Sequence, residues 1–316
     1  MRPHIVVTPG DPRGIGPEVA LRALDIFRRE NRETEVTLIG PDGELGREEV
    51  TELAAQARGA PYGDAEAGRV AARSIERAVE LAKNGTAQAV VTAPLHKPSL
   101  HAAGWNIRGQ TELLRDLSGS ARVGMLMAAE RTRLDAPLRV LLATTHIALR
   151  DVPAAVTEGL LADQMELLDG ALRGDWGIAS PRIALCGMNP HASDGGLFGN
   201  EEEAVFEPAV ARVRESGIRV EGPLPADTVF TRALNGHFDA VVTPYHDVGM
   251  ASFKTVSFGT GVNVTIGLPF IRTSPDHGTA FDIAGTDRAD PTSMLEALRL
   301  GDTLATKRFD IASAEV

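Results

Sequence analysis

Three histidines in this chain, His146, His191 and His246, each follow a strand-like run by a few residues or fewer. The runs are Arg139 to Thr144, Arg182 to Cys186 and Val241 to Thr243, all rich in aliphatic residues. In an open α/β sheet the carboxyl ends of the strands face one crevice, so the three imidazoles are expected to gather there. Neutral imidazoles converging on a point suit zinc or another late divalent metal. Taken singly, each is more often an ordinary hydrogen-bonded histidine; their equivalent placement favours a metal site. His4, His101 and His237 lack that placement, and His96, between a strand and Lys97, leaves both readings open.

The stretch from Ala240 to Gly285 holds most of the remaining chemistry. Tyr245, His246 and Asp247 come directly after a strand ending at Pro244, then Lys254 and a glycine turn at Gly259 and Gly261. Asn263, Arg272, Asp276 and His277 follow, interleaved with apolar segments that should pin them in place. Such groups are costly to bury without partners, which favours a binding site over loose surface loops. Residues 277 to 290, HGTAFDIAGTDRAD, add a small-residue turn with Asp282, Asp287 and Asp290. An aspartate beside a turn can accept two ribose hydroxyls; capping of a helix ahead of Pro291 is the plainer reading. The turn Gly10-Asp11-Pro12-Arg13-Gly14-Ile15-Gly16 lacks the G-x-G-x-x-G spacing, so it marks a tight strand-to-helix turn more than a phosphate site.

These residues must be carried by an alternation of strands and helices, the pattern of an α/β fold with a largely parallel sheet. Strands are expected at Ile5 to Val7, Val36 to Ile39, Ala89 to Thr92 and Val123 to Met127, besides the three above. Helices are expected from Pro17 to Glu30, Glu66 to Ala82, Ala154 to Leu172, from Glu201 onward, and Pro291 to Leu304. Residues 41 to 65 are weakly patterned and are expected to be mostly loop with one short helix at most.

At 316 residues two domains are the natural expectation. A net charge of -11 without a basic cluster disfavours a nucleic-acid partner. Cys186 is the lone cysteine, which excludes an intrachain disulfide and a cysteine zinc motif. The opening MRPHIVVTPGD has a three-residue apolar run, so no signal peptide is expected, nor is any segment long enough for a membrane span. A cytoplasmic setting is the expectation.

The chain resembles the 4-hydroxythreonine-4-phosphate dehydrogenase family of pyridoxal phosphate biosynthesis. The resemblance runs through TPGDPRGIGPE, VTAPLHK, GQTELL, ATTHIALRD, CGMNPHASDGG, GPLPADT, YHDVGM, GVNVTIGLPFIRTSPDHGTA and DIAG, nearly the whole length. The first and last motifs are also similar to segments of isocitrate and isopropylmalate dehydrogenases. That wider likeness implies their two-domain α/β fold with mostly parallel sheets and a cleft between domains. The boundaries expected on it are 1–112 plus 255–316 for the cofactor side and 113–254 for metal binding and dimerisation.

The resemblance implies metal ligation by His146, His191 and His246, two from one subunit of a homodimer and one from the other. It implies substrate contacts from Gln110, Thr111, Lys254, Asn263 and Arg272. Lys254 and Asp247 are the expected catalytic groups, and His277, Asp282 and Asp290 the expected cofactor contacts. The implied reaction oxidises the secondary alcohol of 4-phosphohydroxy-L-threonine with NAD or NADP and a divalent metal (zinc, cobalt or magnesium), followed by decarboxylation. Relatives with the same frame act on 4-phospho-D-threonate or D-erythronate, which is the alternative within the class. A three-histidine zinc hydrolase is the alternative outside it, and leaves HGTAFDIAG unexplained. The chain departs from the family pattern at Gln110, where many members have histidine, and at Val248, where glutamine is usual; residues 41 to 65 are also shortened.

Overall fold

Ile5, Val6 and Val7 are wholly buried in a strand, β1 (His4–Thr8), with a neighbour on either side; a run apolar on both faces belongs inside a covered sheet. The computed structural model of the chain describes residues 2–59, 62–107 and 109–314, with side chains described to 310. It divides into two compact units, Met1–Val123 with Val262–Val316, and Gly124–Gly261.

In the first unit β1 pairs in parallel with β2 (Glu35–Leu38) and β3 (Ala89–Thr92). Beyond β3 lie β10 (Ile271–Pro275), parallel to it, and β9 (Val262–Ile266), antiparallel to β10. The helix Gly16–Glu30 carries Pro17 in its first turn and buries Val19, Ala20, Ala23, Leu24 and Phe27, the face its spacing predicts. Asp64–Lys83 and Thr292–Ala314 are the other long helices of this unit. Residues 41 to 65 hold more helix than expected: Arg47–Arg58 spans 12 residues and buries only Val50, Ala54 and Ala57. So small an apolar face leaves little periodicity to read. β9 and β10 are joined by a reversal at Gly267, which takes the left-handed φ of +89°.

In the second unit the strand order is β4 (Gly124–Ala129), β5 (Leu138–Leu142), β8 (Ala240–Thr243), β6 (Ile183–Cys186) and β7 (Val220–Leu224). Only the β4–β5 pair is antiparallel here. Its core gathers Met127, Leu138, Val140, Val241, Phe230 and Phe253. The helix expected from Ala154 is broken, with Val152–Ala155 followed by Glu158–Gly174; the Thr157 hydroxyl accepts from the Leu160 N–H and caps the second piece. The helix expected from Glu201 opens with a π turn, Glu202–Phe206, before Glu207–Glu215. A helix not expected from the sequence, His246–Ser257, follows β8 directly. Among the described residues no helix is long and apolar enough to cross a membrane.

Candidate active site

In the first unit, register places four polar side chains on one face of the sheet. Val90 stands beside Arg272, and Ser274 opposite Asn263, so by two-residue alternation Thr92, Arg272, Asn263 and Thr265 share that face. Arg272 is 2% exposed. Its Nη1 donates to Thr265 Oγ1 at 2.9 Å and its Nη2 to Thr92 Oγ1 at 2.7 Å and to Gln110 Oε1. All of these are neutral oxygens. The Arg272 Nε and the Asn263 Oδ1 are buried with no hydrogen-bond partner among the described residues. Burial without a carboxylate pulls the guanidinium down to about 9. A buried cation in this state calls for an anion. Gln110 opens the helix Gln110–Ser118, and Thr111, half-buried, is its second residue.

The glycine turn behaves as a close-packing device. Gly10 takes φ +73°, and a Cβ there would sit 2.1 Å from the Pro94 carbonyl oxygen; one at Gly14 would meet Thr279. The Ile15 N–H donates to the Thr279 carbonyl, tying this turn to the HGTAFDIAG segment. Beside it opens a cavity of about 560 Å³ lined by Arg13, Ala57, Arg58, Asp64 and Phe281. Arg13 lies 5.3 Å from the Phe281 ring centroid and is braced by the fully buried Asp11 and by Asp64. His96 meets Phe281 edge-on and pairs with Ser99. His277 Nδ1 lies 3.0 Å from the Gly278 carbonyl, while its Nε2 is buried and has no hydrogen-bond partner among the described residues. Asp282 is exposed. Asp290 Oδ1 accepts from both the N–H and the hydroxyl of Thr292, which holds the carboxyl below its ordinary range; this is the capping arrangement.

In the second unit His146 follows β5 and His246 opens the helix after β8, with ring centroids 5.5 Å apart. Parallel pairing of β5 with β8 puts the two strand ends side by side. His246 Nδ1 lies 2.7 Å from Asp247 Oδ1, which fixes the ring and leaves Nε2 as its free ligand atom. Two imidazoles so held fit a divalent metal that draws further ligands from elsewhere. Among the described residues no group of three His, Cys, Asp or Glu side chains could hold a metal, so His191 does not complete the pair within one chain. Lys254 lies half-buried two turns along the same helix. Val248 packs against the hydrophobic core.

His191 instead starts a left-handed turn: His191, Ala192, Ser193 and Asp194 have φ of 55°, 54°, 63° and 46°. Non-glycine residues in this region cost about 1 kcal/mol or more each, so something must hold them. Glu202, 1% exposed, accepts from the Met188 and Asn189 N–H groups at 2.8 and 2.7 Å and from Asn189 Nδ2 at 2.8 Å. Asn189 Nδ2 also donates to Glu201. These carboxylates clamp the entrance of the turn that presents His191. Periodicity offered no signal for Glu202, because a buried acid at a helix start reads as an ordinary dipole-facing residue. Thr92 and Thr265 were equally silent, being common strand residues. Cys186 is buried at the end of β6, and burial pushes its thiol up to about 12, which makes it inert.

A family model for the pyridoxal phosphate biosynthetic protein PdxA matches residues 5–301. The D-threonate 4-phosphate dehydrogenase of Cupriavidus necator is 44% identical, over 97% of this chain and 98% of its own. The 4-hydroxythreonine-4-phosphate dehydrogenase of Burkholderia vietnamiensis is 41% identical, over 96% and 97%. A crystal structure of 4-hydroxythreonine-4-phosphate dehydrogenase from Klebsiella pneumoniae superposes with a TM-score of 0.80 at 36% identity, covering 96% of this chain and 98% of that one. An isocitrate dehydrogenase from Methylococcus capsulatus, at TM-score 0.54 and 18% identity over 100% of this chain and 90% of its own, shares the fold alone.

Proposed function

We propose that this chain, which belongs to the pyridoxal phosphate biosynthetic protein PdxA family, is an NAD-linked dehydrogenase of 4-phosphohydroxy-L-threonine. It oxidises the secondary alcohol to a ketone, and the resulting 3-oxo acid loses carbon dioxide to give 3-amino-2-oxopropyl phosphate. The observation that carries this reading is Arg272, a buried cation whose partners among the described residues are all neutral.

Arg272 binds an oxyanion of the substrate, with Asn263 on the same sheet face offering its amide. His146 and His246 hold a divalent metal, zinc or cobalt in preference to magnesium, and Asp247 orients His246. A bound metal would supply Lewis-acid polarisation of the substrate's alcohol and ketone oxygens, and a bound NAD would supply the hydride acceptor. Lys254 accepts the hydroxyl proton and returns one to the carbon that loses the carboxylate, which balances the two steps. Arg13, Phe281 and the HGTAFDIAG segment receive the dinucleotide at the open cavity, with His277 and Asp282 beside it. The working form is a cytoplasmic homodimer in which His191 of the partner subunit completes the metal site. NADP is the second choice of cofactor.

4-Phospho-D-threonate is the second reading, favoured by the 44% identity to the Cupriavidus necator relative. The experiment compares specificity constants for 4-phosphohydroxy-L-threonine, its unphosphorylated form, 4-phospho-D-threonate and 4-phospho-D-erythronate with each cofactor. Removing the phosphate is expected to lower the constant at least about a hundredfold. A higher constant for either sugar acid moves the chain to the second reading. Equal turnover without phosphate removes the anion handle.

A further inference from the structure

Gln110 has its whole side-chain amide turned inward. Nε2 donates to the Ala93 carbonyl at 3.1 Å, while Oε1 accepts from the Thr92 hydroxyl at 2.7 Å and from Arg272 Nη2. The amide cannot be flipped: that would set NH2 against the guanidinium and carbonyl against the Ala93 carbonyl. Thr92 also accepts from Arg272 Nη2, so Gln110, Thr92 and Arg272 close a triangle of hydrogen bonds. Gln110 begins a helix following Gly109, so its backbone position is set by secondary structure.

We propose that Gln110 is a positioning residue for Arg272, not a substrate contact, and that its neutrality keeps Arg272 available for an oxyanion. The proposal deepens the reading above, and rests on it for the anion alone. A carboxylate at this position would pair with Arg272 and cancel the charge that the oxyanion needs. An imidazole could serve only when unprotonated, because a protonated one would face the guanidinium as a like charge. Glutamine supplies the acceptor at every physiological pH. The oxyanion itself could be the phosphate or the carboxylate of the substrate, since a guanidinium reads both in the same way.

The probe is sulfate, whose charge does not change between pH 6 and pH 8, with malonate as a carboxylate comparison; binding is followed by calorimetry on the full-length protein. An Arg272→Met control separates this site from any other sulfate site. Gln110→Glu is expected to weaken sulfate binding at least about tenfold while raising the thermal midpoint, because the buried cation gains a counter-charge. Gln110→His is expected to bind sulfate more weakly at pH 6 than at pH 8. A histidine contacting the anion directly would do the reverse, so a flat profile or tighter binding at pH 6 overturns the proposal. A Gln110→Glu protein with the wild-type sulfate affinity, or a lowered midpoint, overturns it too. Wild-type protein that binds neither anion defeats the anion reading of Arg272, and the midpoint of Gln110→Glu still decides whether the two residues act as a pair. Tighter wild-type binding of malonate than of sulfate would assign the socket to the carboxylate end.

Discussion

The imidazoles of His146 and His246 stand with ring centroids 5.5 Å apart and planes tilted by 42°, held at the ends of two paired parallel strands. With Asp247 fixing one ring, this pair is expected to bind one divalent metal per site. His246→Ala should remove the metal with the fold retained. Asp247→Asn should weaken it about 10–100-fold. Elemental analysis and far-ultraviolet circular dichroism check both; full occupancy in His246→Ala would contradict the assignment.

His191 lies outside that pair, and its turn is held by Glu202. Mixing inactive His191→Ala and His246→Ala subunits after reversible dissociation should restore activity, since a hybrid dimer contains one intact ligand set. No recovery despite demonstrated subunit exchange would mean that each subunit builds its own site.

Glu202→Ala should destabilise the protein by on the order of 2 kcal/mol, because it leaves the half-buried Met188 and Asn189 N–H groups without their acceptor. Glu202→Gln, which keeps one acceptor oxygen, should lose about 1 kcal/mol. Urea denaturation measures both. A loss under about 0.5 kcal/mol in the alanine variant would show that the carboxylate does not clamp the turn.

The elements that sequence periodicity could locate are those buried on a regular face. Ala89–Thr92 is a strand at the residues its aliphatic run predicts, and the helix beginning at Gly16 buries the five apolar positions spaced for it. The helix His246–Ser257 starts two residues after Pro244, and it sets Gly249 and polar residues among Val248, Phe253 and Val256, so its core face carries little periodic signal. Arg272 could be recognised as a candidate anion contact, but its partners could not. Thr92 and Gln110 come to it from 180 and 162 residues away, and only tertiary pairing of β3 with β10 brings them together. The single-chain convergence of three histidines also failed to follow from strand ends, because four left-handed residues carry His191 onto its own turn.

Arg272 also carries an energetic cost. Burial without a carboxylate disfavours its charged form, so the charge is unfavourable to folding at neutral pH, and a bound oxyanion should relieve it. Sulfate is therefore expected to raise the thermal midpoint of the wild-type protein and not that of Arg272→Met. An equal rise in both would contradict the view that Arg272 lacks a counter-charge.

The most direct test of the account follows hydride and carbon together in one reaction. The metal-loaded protein is given NAD and 4-phosphohydroxy-L-threonine labelled in the carboxylate, and reduced cofactor and released carbon dioxide are measured over the same interval. The account predicts one of each per substrate consumed, with both lost in Arg272→Met. Release of inorganic phosphate or another hydrolysis product without reduced cofactor, or reduced cofactor without carbon dioxide, would contradict it.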